Sequence, residues 1–79
     1  MTDDELEVRV IGLIGRELGV PDGSVTPATV SGDLERWDSL GHLQICMALE
    51  AEFGISPELE ELEELDSVAA IVAYVREDA

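Results

Sequence analysis

The chain has 79 residues, enough for one domain that buries only about 60% of the surface its unfolded form exposes. Nineteen acids against four arginines give a net charge of −15, a field that repels nucleic acid and anionic lipid, whose capture relies on neutralising phosphates. A doubly wound nucleotide-binding sheet, a barrel enzyme or a widely spaced catalytic triad needs more chain, and 46% apolar residues separate this sequence from disordered acidic tails.

Asp3 to Leu18 carries Leu6, Val10, Leu13, Ile14 and Leu18 at three- and four-residue intervals, the stripe of an amphipathic helix. Asp3, Asp4 and Glu5 suit the positive end of that helix, and Gly19 and Pro21 stop it. Gly12 and Gly15 either weaken it, by roughly 1 kcal/mol each, or admit a close neighbour. The acidic start Met1-Thr2-Asp3-Asp4-Glu5 does not resemble a secretory signal, and no stretch approaches a membrane span. The expectation is a soluble cytoplasmic protein.

From Gly19 to Trp37 the periodicity breaks. Pro21, Gly23, Pro27 and Gly32 punctuate a long connection, with Val25, Val30, Leu34 and Trp37 spaced as anchors to a core. Ordered connections of this length are usually functional; one short helical turn fits within it. A second helix is expected up to Phe53, with Asp38 as N-cap and Gly54 as its stop. Pro57 to Leu65 predicts a short third helix, partly of the tighter 3₁₀ kind, with Leu59, Leu62 and Leu65 at spacing three. Asp66 or Ser67 caps a fourth, whose apolar face is Val68, Ile71, Val72 and Val75. The fold expected is all-α: a single-domain four-helix bundle over residues 1–79, with a long first loop and a core between helices one, two and four. Residues 1–37 carry −5 and residues 38–79 carry −10, so the second half holds the stronger attraction for basic partners.

Stepping about 100° per residue from Leu40 divides the second helix into two apolar arcs. Ile45, Cys46, Leu49 and Phe53 make one; Leu40, Leu43, Met47 and Ala51 make the other. Gln44 and Glu50 flank this second arc, and Glu52 lies between the two. Either the helix is wrapped on both sides, or Leu40, Leu43 and Met47 form an exposed docking stripe with an acidic rim. Methionine adapts well to differently shaped partners.

This second arc begins beside Ser39, in the run Trp37-Asp38-Ser39-Leu40-Gly41-His42-Leu43. Here the sequence resembles the acyl carrier protein family, whose modification site is an Asp-Ser-Leu triplet at the mouth of the second helix. The continuation Met47-Ala48-Leu49-Glu50-Ala51-Glu52-Phe53-Gly54-Ile55 is similar too, as are the Asp33-Leu34 pair of the first loop, the acidic third helix and the Val/Ala-rich last one. The resemblance implies that a phosphopantetheinyl transferase moves 4′-phosphopantetheine from coenzyme A to Ser39, beside Asp38, and that the arm's thiol carries an acyl or aminoacyl thioester. It implies a monomeric carrier that is not itself an enzyme and that meets acyl-loading and acyl-transferring enzymes with basic surfaces through Leu40, Leu43, Met47, Glu50 and Glu52. Members of primary fatty-acid synthesis often carry acids two and five residues after the serine. Gly41 and Gln44 stand there, and Glu35-Arg36-Trp37 replaces the commoner glycine before the triplet. These departures favour a polyketide, nonribosomal peptide or other specialised pathway.

Other chemistries fit less well. A serine hydrolase needs a base and an oxyanion hole for Ser39, and the only histidine, His42, lies three residues along the same helix. His42 and Cys46, four apart, could start a zinc site, but no further His or Cys completes it. They read as a residue lining the gap between helices and a small core residue. The glutamates from Glu58 to Glu64 lack the spacing of a calcium loop, so no metal site is expected. An unmodified acidic adaptor that binds a basic protein through the same stripe is the alternative function; only the carrier requires Ser39.

Overall fold

The computed structural model describes residues 2–78, without the side chain of Asp78. Four helices follow in order: α1 (Asp3–Leu18), α2 (Ser39–Phe53), α3 (Leu59–Glu64) and α4 (Val68–Asp78). Local chemistry sets their ends. Thr2 Oγ1 accepts the Glu5 N–H at the start of α1, and Ser67 Oγ accepts the Ala70 N–H at the start of α4, which selects Ser67 over Asp66 as that cap. Gly19 and Gly54 close α1 and α2 at φ +67°, a left-handed turn that glycine makes without a Cβ penalty.

The stripe of α1 (Leu6, Val10, Leu13, Ile14, Leu18) is entirely buried, against Ile45 and Leu49 of α2 and Val68, Ile71, Val72 and Val75 of α4. Helix α1 packs on both α2 and α4, so the core lies among these three, as the sequence pattern requires. Helix α3 is peripheral and is α-helical rather than 3₁₀. Of its leucines, Leu65 just past the helix is buried, Leu62 is partly covered and Leu59 points to solvent. No atom lies near the positions where Gly12 and Gly15 would carry a Cβ, so these glycines serve no close approach and only loosen α1.

The long loop is fastened at several points. Val25 and Trp37 are buried, and Leu34 packs against the core. Val30 differs from expectation: its side chain is exposed, and the backbone around it does the fastening. Ser31 N–H donates to the Asp66 carbonyl (2.8 Å) and Val68 N–H to the Thr29 carbonyl (3.0 Å), a single antiparallel bridge to the start of α4. The buried Thr29 hydroxyl accepts the Thr26 N–H at 2.8 Å. A 3₁₀ turn at Ser31–Asp33 is the short helical element expected within the loop. These bonds deliver Trp37, Asp38 and Ser39 to a fixed place at the mouth of α2.

Candidate functional site

Asp38 is the N-cap of α2. Its Oδ1 accepts the Gly41 N–H at 2.8 Å, and its carbonyl accepts the His42 N–H at 2.8 Å. Ser39 is therefore the first helical residue; it is exposed, and among the described residues its hydroxyl makes no hydrogen bond. The Ser39 and Leu40 N–H groups, at the first two positions of the helix, have no intrahelical acceptor and, among the described residues, no other partner. A hydroxyl open to solvent thus stands beside two unpaired donors at the positive end of a helix dipole, where a phosphate is favoured.

Gly41 explains how the loop and helix fit here. A Cβ at Gly41 would overlap the Arg36 carbonyl oxygen and come within 2.9 Å of Leu18 Cδ2. No side chain fits while the loop takes this path. Glycine at this edge of the docking face is thus a steric requirement of the loop as well as the absence of an acid.

The two arcs of α2 have opposite fates. Ile45, Cys46 and Leu49 are buried, whereas Leu40, Leu43 and Met47 are 65%, 52% and 61% exposed. Wrapping on both sides is thereby excluded. Glu50 is exposed on the flank of the outer arc. Glu52 lies on the α1 side, 3.9 Å from the Arg9 guanidinium, which itself stands over the Phe53 ring at 4.9 Å from its centroid. This pair is solvent-facing and contributes little to stability.

On the other side of α2, His42 joins three elements, an arrangement the sequence did not reveal. The Trp37 indole N–H donates to His42 Nδ1 at 3.0 Å. Because an indole nitrogen only donates, Nδ1 is the acceptor. The proton then sits on Nε2, which donates to the Leu62 carbonyl at 2.7 Å. The two rings also stack at a centroid distance of 6.3 Å. Cys46 Sγ lies 3.6 Å from the same Nε2. Both ring nitrogens are engaged in this network, and among the described residues no cluster of three His, Cys, Asp or Glu side chains is placed to hold a metal. Burial, and secondarily the Glu50 carboxylate, pushes the Cys46 thiol above its ordinary range, which disfavours the reactive thiolate. Beside Ser39 on this side opens a cleft of about 400 Å³, lined in part by Ser31, His42, Glu63 and Asp66.

Residues 8–75 match the family model described as "Phosphopantetheine attachment site". The chain is 41% identical over 76 residues to an acyl carrier protein of Akkermansia muciniphila, covering 95% of this chain and 94% of that one. The chain belongs to the acyl carrier protein family. An acyl carrier protein of Petrotoga mobilis is 40% identical over 78 residues, covering 98% of this chain and 91% of the relative. In fold it is similar to the solution structure of a holo acyl carrier protein from Geobacter metallireducens, with a TM-score of 0.78, 24% identity, and 90% and 82% of the two chains covered.

Membership makes this a non-catalytic carrier whose cofactor is covalently attached 4′-phosphopantetheine. Once attached, the arm supplies a terminal thiol that holds the cargo as a thioester. The partners that membership implies are a phosphopantetheinyl transferase and biosynthetic enzymes. A free, exposed hydroxyl beside unpaired amides fits such an arm. Among the described residues no helix is long and apolar enough to cross a membrane.

Proposed function

We propose that Ser39 receives the arm and that this chain is a monomeric cytoplasmic carrier of acyl or aminoacyl units in a specialised pathway such as polyketide or nonribosomal peptide assembly. The observation that carries this reading is the Ser39 hydroxyl: solvent-facing, without a hydrogen-bond partner among the described residues, and fixed at the first residue of α2 by the Asp38 cap. Asp38 and the bridged loop hold the oxygen in place, while the transferase supplies the base that takes its proton. The unpaired Ser39 and Leu40 amides face the phosphodiester that results.

Leu40, Leu43 and Met47 form the apolar centre of the docking face, with Glu50 and Glu52 as its charged margin. Complementary basic surfaces on the transferase and acyl-handling enzymes are steered by the −15 charge, so encounter slows as salt rises. Glu52 can exchange Arg9 for a partner's cation because the pair is exposed. The specialised role is supported by Gln44, exposed in place of the second acid.

The test is intact-mass spectrometry after incubation with coenzyme A and a broad-specificity phosphopantetheinyl transferase. Wild type is expected to gain one phosphopantetheine and Ser39→Ala none. A folded wild type that stays unmodified would contradict the reading and leave an acidic helical adaptor.

A further inference from the structure

The α2–α3 seam beside Ser39 is closed by polar contacts rather than by apolar packing alone. Trp37 N–H, His42 and the Leu62 carbonyl form a continuous chain of hydrogen bonds across it, at 3.0 and 2.7 Å. The bundle core holds the fully buried side chains of Ile45, Leu49 and Ile71. A second tie holds α3 from the far side, where Glu61 Oε1 accepts both the Glu58 N–H (2.9 Å) and the Tyr74 hydroxyl (3.4 Å).

An aliphatic chain entering between α2 and α3 from Ser39 has to part His42 from Leu62. That takes from the Leu62 carbonyl its shorter bond, leaving only the Leu65 N–H at 3.3 Å, and, as the imidazole moves, strands the Trp37 N–H. A hydrocarbon cannot replace either hydrogen bond, and losing both, with the indole N–H left unpaired, offsets the burial of a few methylenes. The filled core must also be displaced. Outside the seam, the cleft beside Ser39, which Ser31, Trp37, Glu63 and Asp66 help to line, is wide open to solvent, so an alkyl chain lying there stays largely in water.

We infer that the Trp37–His42–Leu62 chain of hydrogen bonds bars aliphatic cargo from the bundle interior, so that this carrier serves short or polar acyl units that remain in water. The inference rests on Ser39 taking the arm. His42 acts here as a positioning residue that keeps α3 against α2, and it does not touch the thioester.

The experiment loads wild type, His42→Ala and His42→Gln from acetyl- and octanoyl-coenzyme A with the transferase, then measures cleavage of each thioester by hydroxylamine. In wild type the two thioesters should cleave within about two-fold of each other, because no methylene leaves water. In His42→Ala the octanoyl thioester alone should be protected, by about ten-fold, which is what withdrawing two methylenes from water supplies. Glutamine can accept from Trp37 and donate to Leu62, so His42→Gln should restore the wild-type ratio; a loss of stability alone would expose both thioesters alike. Should His42→Ala fail to fold, Trp37→Phe removes one bond of the chain and should shift the ratio in the same direction. Octanoyl protection in wild type, or an unchanged ratio in the opened variants, overturns the inference. Intact mass reads the arm separately: a chain that gains no arm overturns the proposed function as well, whereas one that gains it and shields octanoyl overturns this inference alone.

Discussion

The two sides of α2 are held by different forces. Toward α1 it presents Ile45, Leu49 and a glycine so close to the loop that no side chain fits. Toward α3 its main fixed point is one imidazole bridging an indole and a backbone carbonyl. The first side gains from area removed from water and tolerates little change of volume. The second depends on a few directional bonds, each of modest net value but costly to leave half-made. One helix therefore carries a rigid spine and a more easily parted seam, with Ser39 at the end they share.

The largest expected effect lies on the rigid side. Leu49→Ala should cost roughly 2–5 kcal/mol in urea unfolding, a large part of what so small a domain possesses. Gly41→Ala comes next. Alanine in a helix interior is worth about 1 kcal/mol over glycine, so the sign rests on the overlap with Arg36 and Leu18. A net loss of about 2 kcal/mol is expected, while the same change at Gly15, where a Cβ meets nothing, should stabilise. If both glycine variants stabilise, the loop does not press on α2 as described.

On the seam, His42→Ala should cost about 2 kcal/mol by removing two hydrogen bonds and stranding the Trp37 N–H. Its amide exchange should accelerate in α3 while α1 remains protected; uniform acceleration would erase the contrast between the sides. Cys46 gives a smaller, pH-dependent effect. Its thiol is raised in the folded state by burial and then by Glu50. Its contribution to stability is therefore complete below the ordinary thiol range and is lost as pH rises through the raised value. Chemical unfolding should show stability declining on that alkaline limb, and Cys46→Ala should flatten the decline. Smallest in stability is Met47→Ala, within about 0.5 kcal/mol of wild type because the side chain is exposed. Its effect should instead appear as a lower rate of arm transfer by the transferase.

Most of the spine was legible in the sequence because burial on one helix face imposes a period. The α1 stripe, the α4 stripe and the inner arc of α2 all follow from spacing, and the caps Asp38, Gly19 and Gly54 follow from residue type. The outer arc could not be assigned by periodicity alone, since two apolar arcs on one helix leave its neighbours undetermined. The seam was not legible: His42 meets a carbonyl twenty residues away, and a backbone acceptor leaves no mark on residue identity. Val30 misled for the related reason that the loop is fastened through its backbone. Gly41 looked like a lost charge because the constraint comes from Arg36, whose carbonyl path depends on the whole loop.

The central claim is that one hydroxyl at the start of α2 takes the arm. Trypsin cuts after Arg36 and Arg76, so the peptide covering residues 37–76 carries Ser39 together with Ser56 and Ser67. Tandem mass spectrometry of that peptide from the holo form should place phosphopantetheine on Ser39. An arm on Ser56 or Ser67, or on a serine of the first loop, would contradict the account.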